Sequence, residues 1–383
     1  MSAASKTVAD IKEGVSDREN PAPKARLPEI SALEVCLCLF AIYIHVAANT
    51  ASGRTLFTDA LFISKTLMRY VVQGFIFVAA LKYELSRRRE VSYPRYLLTR
   101  LRRVLPQYFL WNAVYYIFFV FNDRYRLPFS LADFAAYVLR GDLVAHLYFV
   151  LIITQFYVLA PAIRSLTRKI PAAIGIPAAA VLTLGAVWLG GRFPSALMWD
   201  RVFVSYLIYW VAGTYAGRCY DSFRALSRRF IPWLGAVFVL SAVAHLIISF
   251  RANTGVPAPE IFPVIELAFK LSGPVWLLEA LSRLRYSAKT LKIVQTLHGA
   301  VYTAYLSHPF ALFLTQLCFP PGTVMLTRFF WLAAAGTIPP FALGAALTAA
   351  KNALKRLKNK PGAAAAPETA TDALPEMITK RRY

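Results

Sequence analysis

Ten apolar stretches, each long enough to cross a bilayer as a helix of roughly 17–25 residues, restrict this chain more than any other feature. They lie near 31–51, 66–84, 104–121, 146–164, 172–190, 201–218, 231–250, 262–281, 297–318 and 327–350, and the second is interrupted by Arg69 and Gln73. Hydrophobic residues make up 57% of the 383 and charged residues 16%. A water-soluble domain could not cover a surface with that mixture, whereas lipid solvates it directly. The pattern predicts an all-α fold: a polytopic integral membrane helix bundle with about ten transmembrane helices. No Pro/Gly/Ser-rich linker divides the runs, so residues 29–352 form one expected transmembrane domain. Residues 1–28 are polar and of mixed charge, without an apolar core or cleavage site. They are an expected cytoplasmic tail rather than a signal peptide, and the first span is an uncleaved anchor. Residues 353–383 form a second cytoplasmic tail, basic and then disordered in expectation.

The formal charge of +23 would by itself suggest a nucleic-acid partner. The Lys and Arg residues, however, sit in short clusters between apolar stretches, which is how membrane proteins distribute them. With the N-terminus inside, 32 Lys and Arg residues fall on the cytoplasmic side and 10 on the other, Lys270 alone lying within a span. That alternation predicts both termini in the cytoplasm and no nucleic-acid partner. Cys36, Cys38, Cys219 and Cys318 are scattered and read as small core residues.

Ionisable groups inside a bilayer are costly and usually face the bundle interior, so they are the first candidates for chemistry. In the first span, Glu34 precedes His45 by eleven residues, a spacing that returns a helix to nearly the same direction. Ser31, Cys38, Ala41 and Asn49 fall on or near that stripe. A packing face would also collect small and polar residues, but the His points to a general base facing a cavity. The densest basic segment, KYELSRRREVSYPRYLLTRLRRVLP, sets Arg100 and Arg103 one turn apart, with Arg102 between them and Pro106 just beyond. Topology alone asks for cations there; Arg forks also suit a phosphate-bearing ligand. The fourth span, AHLYFVLIITQFYVLAP, puts His146 and Tyr157 on one face and Tyr148 and Gln155 on another. The ninth carries Tyr302, Tyr305 and His308 on successive turns, and Pro309 is expected to free backbone carbonyls. Glu266 and Lys270, four apart in the eighth span, read as a structural ion pair. There is no phosphate-binding Gly-rich loop, metal-spaced His/Cys cluster or nucleophile elbow, so no metal is expected.

Five of these segments resemble the membrane-bound acyltransferase-3 family, in order: His45, RLRRVLP, HLYFVLIITQFYVLAP, GTYAG in the sixth span and AYLSHPF in the ninth. Within the family the likeness runs to the membrane component of poly-N-acetylglucosamine (intercellular adhesin) synthesis. The resemblance implies transfer of an acetyl- or succinyl-type group from acyl-CoA, as donor substrate, to an exported polysaccharide or its lipid-linked precursor. The setting it implies is the bacterial cytoplasmic membrane, among other glycan-synthesis membrane proteins. His45 matches the family's first-span His, with Glu34 and His146 as further catalytic candidates. Arg100, Arg102 and Arg103 become candidates for holding the donor. Asn49, Tyr148, Gln155, Tyr305 and His308 become candidates for holding the substrate. Two departures stand out: Glu34 occupies a position where the family carries Arg or Lys, and Ala79–Ala80 one where it carries Ser-Gly. The alternatives are a glycan exporter or flippase, with Glu34 and Glu266 as candidate proton-carrying carboxylates, and a non-catalytic subunit of a glycan synthase.

Overall fold

A computed structural model describes residues 27–51, 53–86, 92–123, 125–193 and 198–358. The two expected tails, apart from residues 27–28 and 353–358, and the arginines at 87–89 lie outside the described residues. Among those described there is no strand, and every expected span falls on helix.

Helix α1 (Pro28–Thr50) opens on a proline, whose fixed φ suits a first helical turn. It is followed by α2 (Leu56–Leu67), capped by Thr55 in a reciprocal bond with Thr58, and by α3 (Val71–Ser86). The interrupted second span is therefore two helices, broken at 68–70 beside Arg69, within one apolar stretch Leu56–Ser86 of 31 residues. Next come α4 (Tyr93–Phe121), α5 (Leu131–Arg140), α6 (Tyr148–Lys169) and α7 (Ala172–Arg192). The expected sixth span opens as two 3-10 turns, Trp199–Arg201 and Phe203–Tyr206, before α8 (Leu207–Arg218). A short polar helix α9 (Tyr220–Arg229) precedes α10 (Ile231–Asn253), α11 (Phe262–Ser282), α12 (Ala288–Cys318) and α13 (Met325–Lys358). Seven of these apolar segments are long and apolar enough to cross a membrane by length and composition alone. α8, α11 and α12 are shorter or more polar, and α12 carries His308 of the cluster described below. α13 stays helical past residue 352, where the sequence placed the end of the domain.

α1 is the axis of the bundle, in contact with α2, α3, α11, α12 and α13. α7 and α10 lie at its periphery, with Val181, Leu182, Trp233, Leu240 and Ile247 at least half exposed. Rows of apolar side chains on this scale are stable only against lipid. The GTYAG segment earns its glycines by close packing. A Cβ on Gly213 or Gly217 would fall on the carbonyls of Phe77 and Leu81 in α3. Small residues four apart thus let the α8 and α3 backbones meet without a hydrophobic driving force.

Polar contacts between helices join residues that an alternating thread sets at one level. Near the end where α1 begins, Glu34 meets Lys82, Glu84 meets Arg164, and Glu279 meets Arg224. At the opposite end Asp142 meets Arg140 and Arg201. Cys38 is buried as expected. Cys219 and Cys318 are not core residues: both are exposed, and all four thiols are free.

Candidate active site

Three imidazoles from three distant parts of the chain touch one another. The ring centroids of His45 and His308 are 5.1 Å apart, those of His146 and His308 5.3 Å, and those of His45 and His146 6.3 Å. His45 comes from α1 and His308 from α12. His146 sits in the turn before α6, not on the helix where the sequence put it. His146 and His308 are 3% and 0% exposed, whereas His45 is half-buried.

Pro309 explains how this cluster is held. Proline has no N–H, so the Tyr305 carbonyl loses its helical partner; the Nδ1–H of His308 donates to it instead, at 2.7 Å. One residue on, the helix is opened again. Phe310 N–H donates to the hydroxyl of Tyr115 (3.2 Å), and that hydroxyl donates to the Leu306 carbonyl (2.7 Å). The same carbonyl accepts from Nε2–H of His146 at 3.2 Å, and Tyr305 donates its hydroxyl to the His146 carbonyl at 3.0 Å. A neutral imidazole that gives one N–H to a carbonyl presents a lone pair at its other nitrogen. Those second nitrogens, Nδ1 of His146 and Nε2 of His308, are buried without a hydrogen-bond partner. Buried acceptors left open in this way belong where a hydroxyl or water is to be received. No group of three or more His, Cys, Asp or Glu among the described residues is arranged to hold a metal ion.

Tyr115 is buried and touches the His146 ring edge-on at 5.9 Å. Replacing it with Phe keeps the ring but drops the hydroxyl that bridges the opened turn. Displacements of an ångström at a reacting group are costly, so Tyr115→Phe is expected to lower kcat for chemistry at this cluster roughly 10-fold. The melting temperature should also fall, because the Phe310 N–H is left buried without its partner; turnover per folded protein at saturating substrate is the measurement. An unchanged kcat would remove Tyr115 from the positioning of the imidazoles.

The other sequence candidates are placed elsewhere. Glu34 does not accompany His45. Eleven residues along one helix is about 16 Å of axial rise, and its carboxylate is occupied by Lys82 (2.8 and 3.0 Å) and by His298 Nε2 (2.7 Å). Asn49 donates its amide to the carbonyl of His45 in its own helix. Gln155 spends both ends of its amide on the 3-10 segment, donating to the Arg201 carbonyl and accepting from Phe203 N–H. Tyr148 is half-buried at the start of α6. Arg100 is half-buried with its guanidinium 5.6 and 5.8 Å from the ring centres of Tyr96 and Tyr157, while Arg102 and Arg103 are exposed. Pro106 lies within α4, which runs on through it. His298 and the fully buried His245 were not singled out by sequence. A topological signal for His298 existed, since Glu34, Lys82 and His298 all fall near one end of alternating spans.

The fold defines a multi-pass helical membrane protein, with the imidazole cluster at its core. Residues 27–349 match the acyltransferase-3 family, described as an acyltransferase domain, and the chain belongs to that family. It is accordingly an acyltransferase, moving groups other than amino-acyl groups. No curated protein and no solved structure matches the chain.

Proposed function

We propose that the enzyme transfers an acetyl- or succinyl-type group from acyl-CoA to a hydroxyl of an exported polysaccharide or its lipid-linked precursor. By the resemblance noted above, it would do so in the bacterial cytoplasmic membrane, in the manner of the poly-N-acetylglucosamine membrane component. The carrying observation is the three-imidazole cluster with two buried, unpartnered ring nitrogens. His45, the one ring of the three with open surface, takes the acceptor's hydroxyl proton. The oxygen then attacks the thioester carbonyl carbon, the C–S bond breaks, and the imidazolium returns the proton to the departing thiolate. The open nitrogens of His146 and His308 accept hydrogen bonds from the acceptor and orient it. Arg100, Arg102 and Arg103, at the other end of the bundle, supply cations for the donor's phosphates, with the Arg100 guanidinium 5.8 Å from the Tyr157 ring centre.

An exporter would want a free buried carboxylate on its path. Glu34 is paired with Lys82, and Glu266 with Lys270 at 2.9 Å, which favours the enzyme reading. The test is purified protein in liposomes with acyl-labelled acyl-CoA and surface glycan. Label on the glycan with release of free CoA is the expected result; glycan translocation without CoA release would overturn it.

A further inference from the structure

A cavity of about 470 Å³ opens at the end of the bundle that carries Asp142 and Arg201, lined by none of the three histidines of the cluster. Its walls come from α3, α7, the 3-10 segment, α8 and α11. Gln73, Trp199, Tyr206, Tyr209, Glu266 and Lys270 give it its chemistry. Gln73 is 9% exposed, and its Oε1 has no hydrogen-bond partner. A buried amide oxygen left open in a cavity wall marks a place for a donor that is not part of the protein. Glu266 and Lys270 form an ion pair on the same wall, so both an acceptor-rich and a donor-rich group face the space. Gly190 in α7 lets Trp199 come close: a methyl there would sit 2.8 Å from the Trp199 Cβ.

The lining discriminates among ligands. A lipid tail would leave the amide and the ion pair unused, and the molecule offers a better place for one. That is a cavity of about 530 Å³ whose walls are mostly apolar side chains of α3, α7, α8, α9, α10 and α11. A simple anion would meet the Glu266 carboxylate. A sugar ring meets every feature at once, because its hydroxyls both donate and accept and its C–H face packs on aromatic rings. The cavity also connects to the reacting groups. Two residues along α3 from Gln73, Phe75 packs on Tyr305, which packs on the His146 ring.

We infer that this cavity is a saccharide subsite that grips one unit of the acceptor glycan while a neighbouring unit presents its hydroxyl to the histidine cluster. The inference rests on the reading that the acceptor is a glycan, and the experiment separates the two. The full-length protein in nanodiscs, without acyl-CoA, is titrated with maltotetraose and with the tetramer of N-acetylglucosamine. At least one tetramer should bind. Gln73→Leu and Trp199→Ala should each raise Kd roughly 10-fold, the effect of an open polar partner or a lost packing face. The subsite is overturned if neither tetramer binds the unaltered protein, or if both cavity variants bind as tightly as it does. Tetramer binding that responds to the cavity variants, but without acyl transfer to that tetramer in the reconstituted enzyme, supports the subsite and sinks the acceptor reading instead.

Discussion

His45→Ala is expected to cut acyl transfer by roughly 10²–10⁴-fold, the usual contribution of a positioned proton-transfer group. The loss should fall on kcat. His45 is half-buried and makes ring contacts with His146 and His308 but no hydrogen bond that holds another element in place, so the variant should reach the membrane and melt near the parent temperature. His146 and His308 differ in this respect. Each ties its ring to a carbonyl of α12, so His146→Ala or His308→Ala should lower both turnover and thermal stability. The measurement is turnover of acyl-labelled acyl-CoA by equal amounts of each purified protein. A His45→Ala enzyme that turns over at the parent rate would show that the first-helix imidazole moves no proton in the rate-limiting step.

The second large effect is on stability, at the end of the bundle where α1 begins. Glu279 is fully buried in α11 and faces three arginines: Arg224, itself 7% exposed, and the more open Arg228 and Arg283. Glu279→Leu leaves the Arg224 guanidinium buried without its partner. Breaking a buried pair from one side costs about 3–5 kcal/mol, because the remaining charge keeps its desolvation penalty and loses its attraction. The double variant Arg224→Leu, Glu279→Leu removes both charges and should recover most of the loss, since apolar replacements of a buried pair are close to neutral. Melting of both proteins in one detergent gives the comparison. A single variant as stable as the parent would mean that water reaches Arg224 and that the pair contributes little.

Much of the architecture was legible because membrane insertion is decided by local composition. A stretch such as 231–250 needs no partner to be apolar, and it became α10 with little change in its limits. The break near Arg69 was also visible, although not that it divides one span into two helices. The failures have a common cause. Glu34 and His45 share an azimuth on α1, but azimuth says nothing of height, and the carboxylate lies at the level of Lys82 and His298. Gln155 and Asn49 looked available because their types are polar; what consumes them is backbone in the 3-10 segment and in α1 itself.

By itself, then, the chain's order of apolar and basic residues determined a helical membrane bundle, its thread, and the histidines worth considering. Only the packed structure decided that His45, His146 and His308 meet. Their meeting depends on carbonyls freed around Pro309 and on a Tyr115 hydroxyl from another helix, and contacts between positions a hundred or more residues apart leave no periodic trace in the residues that make them.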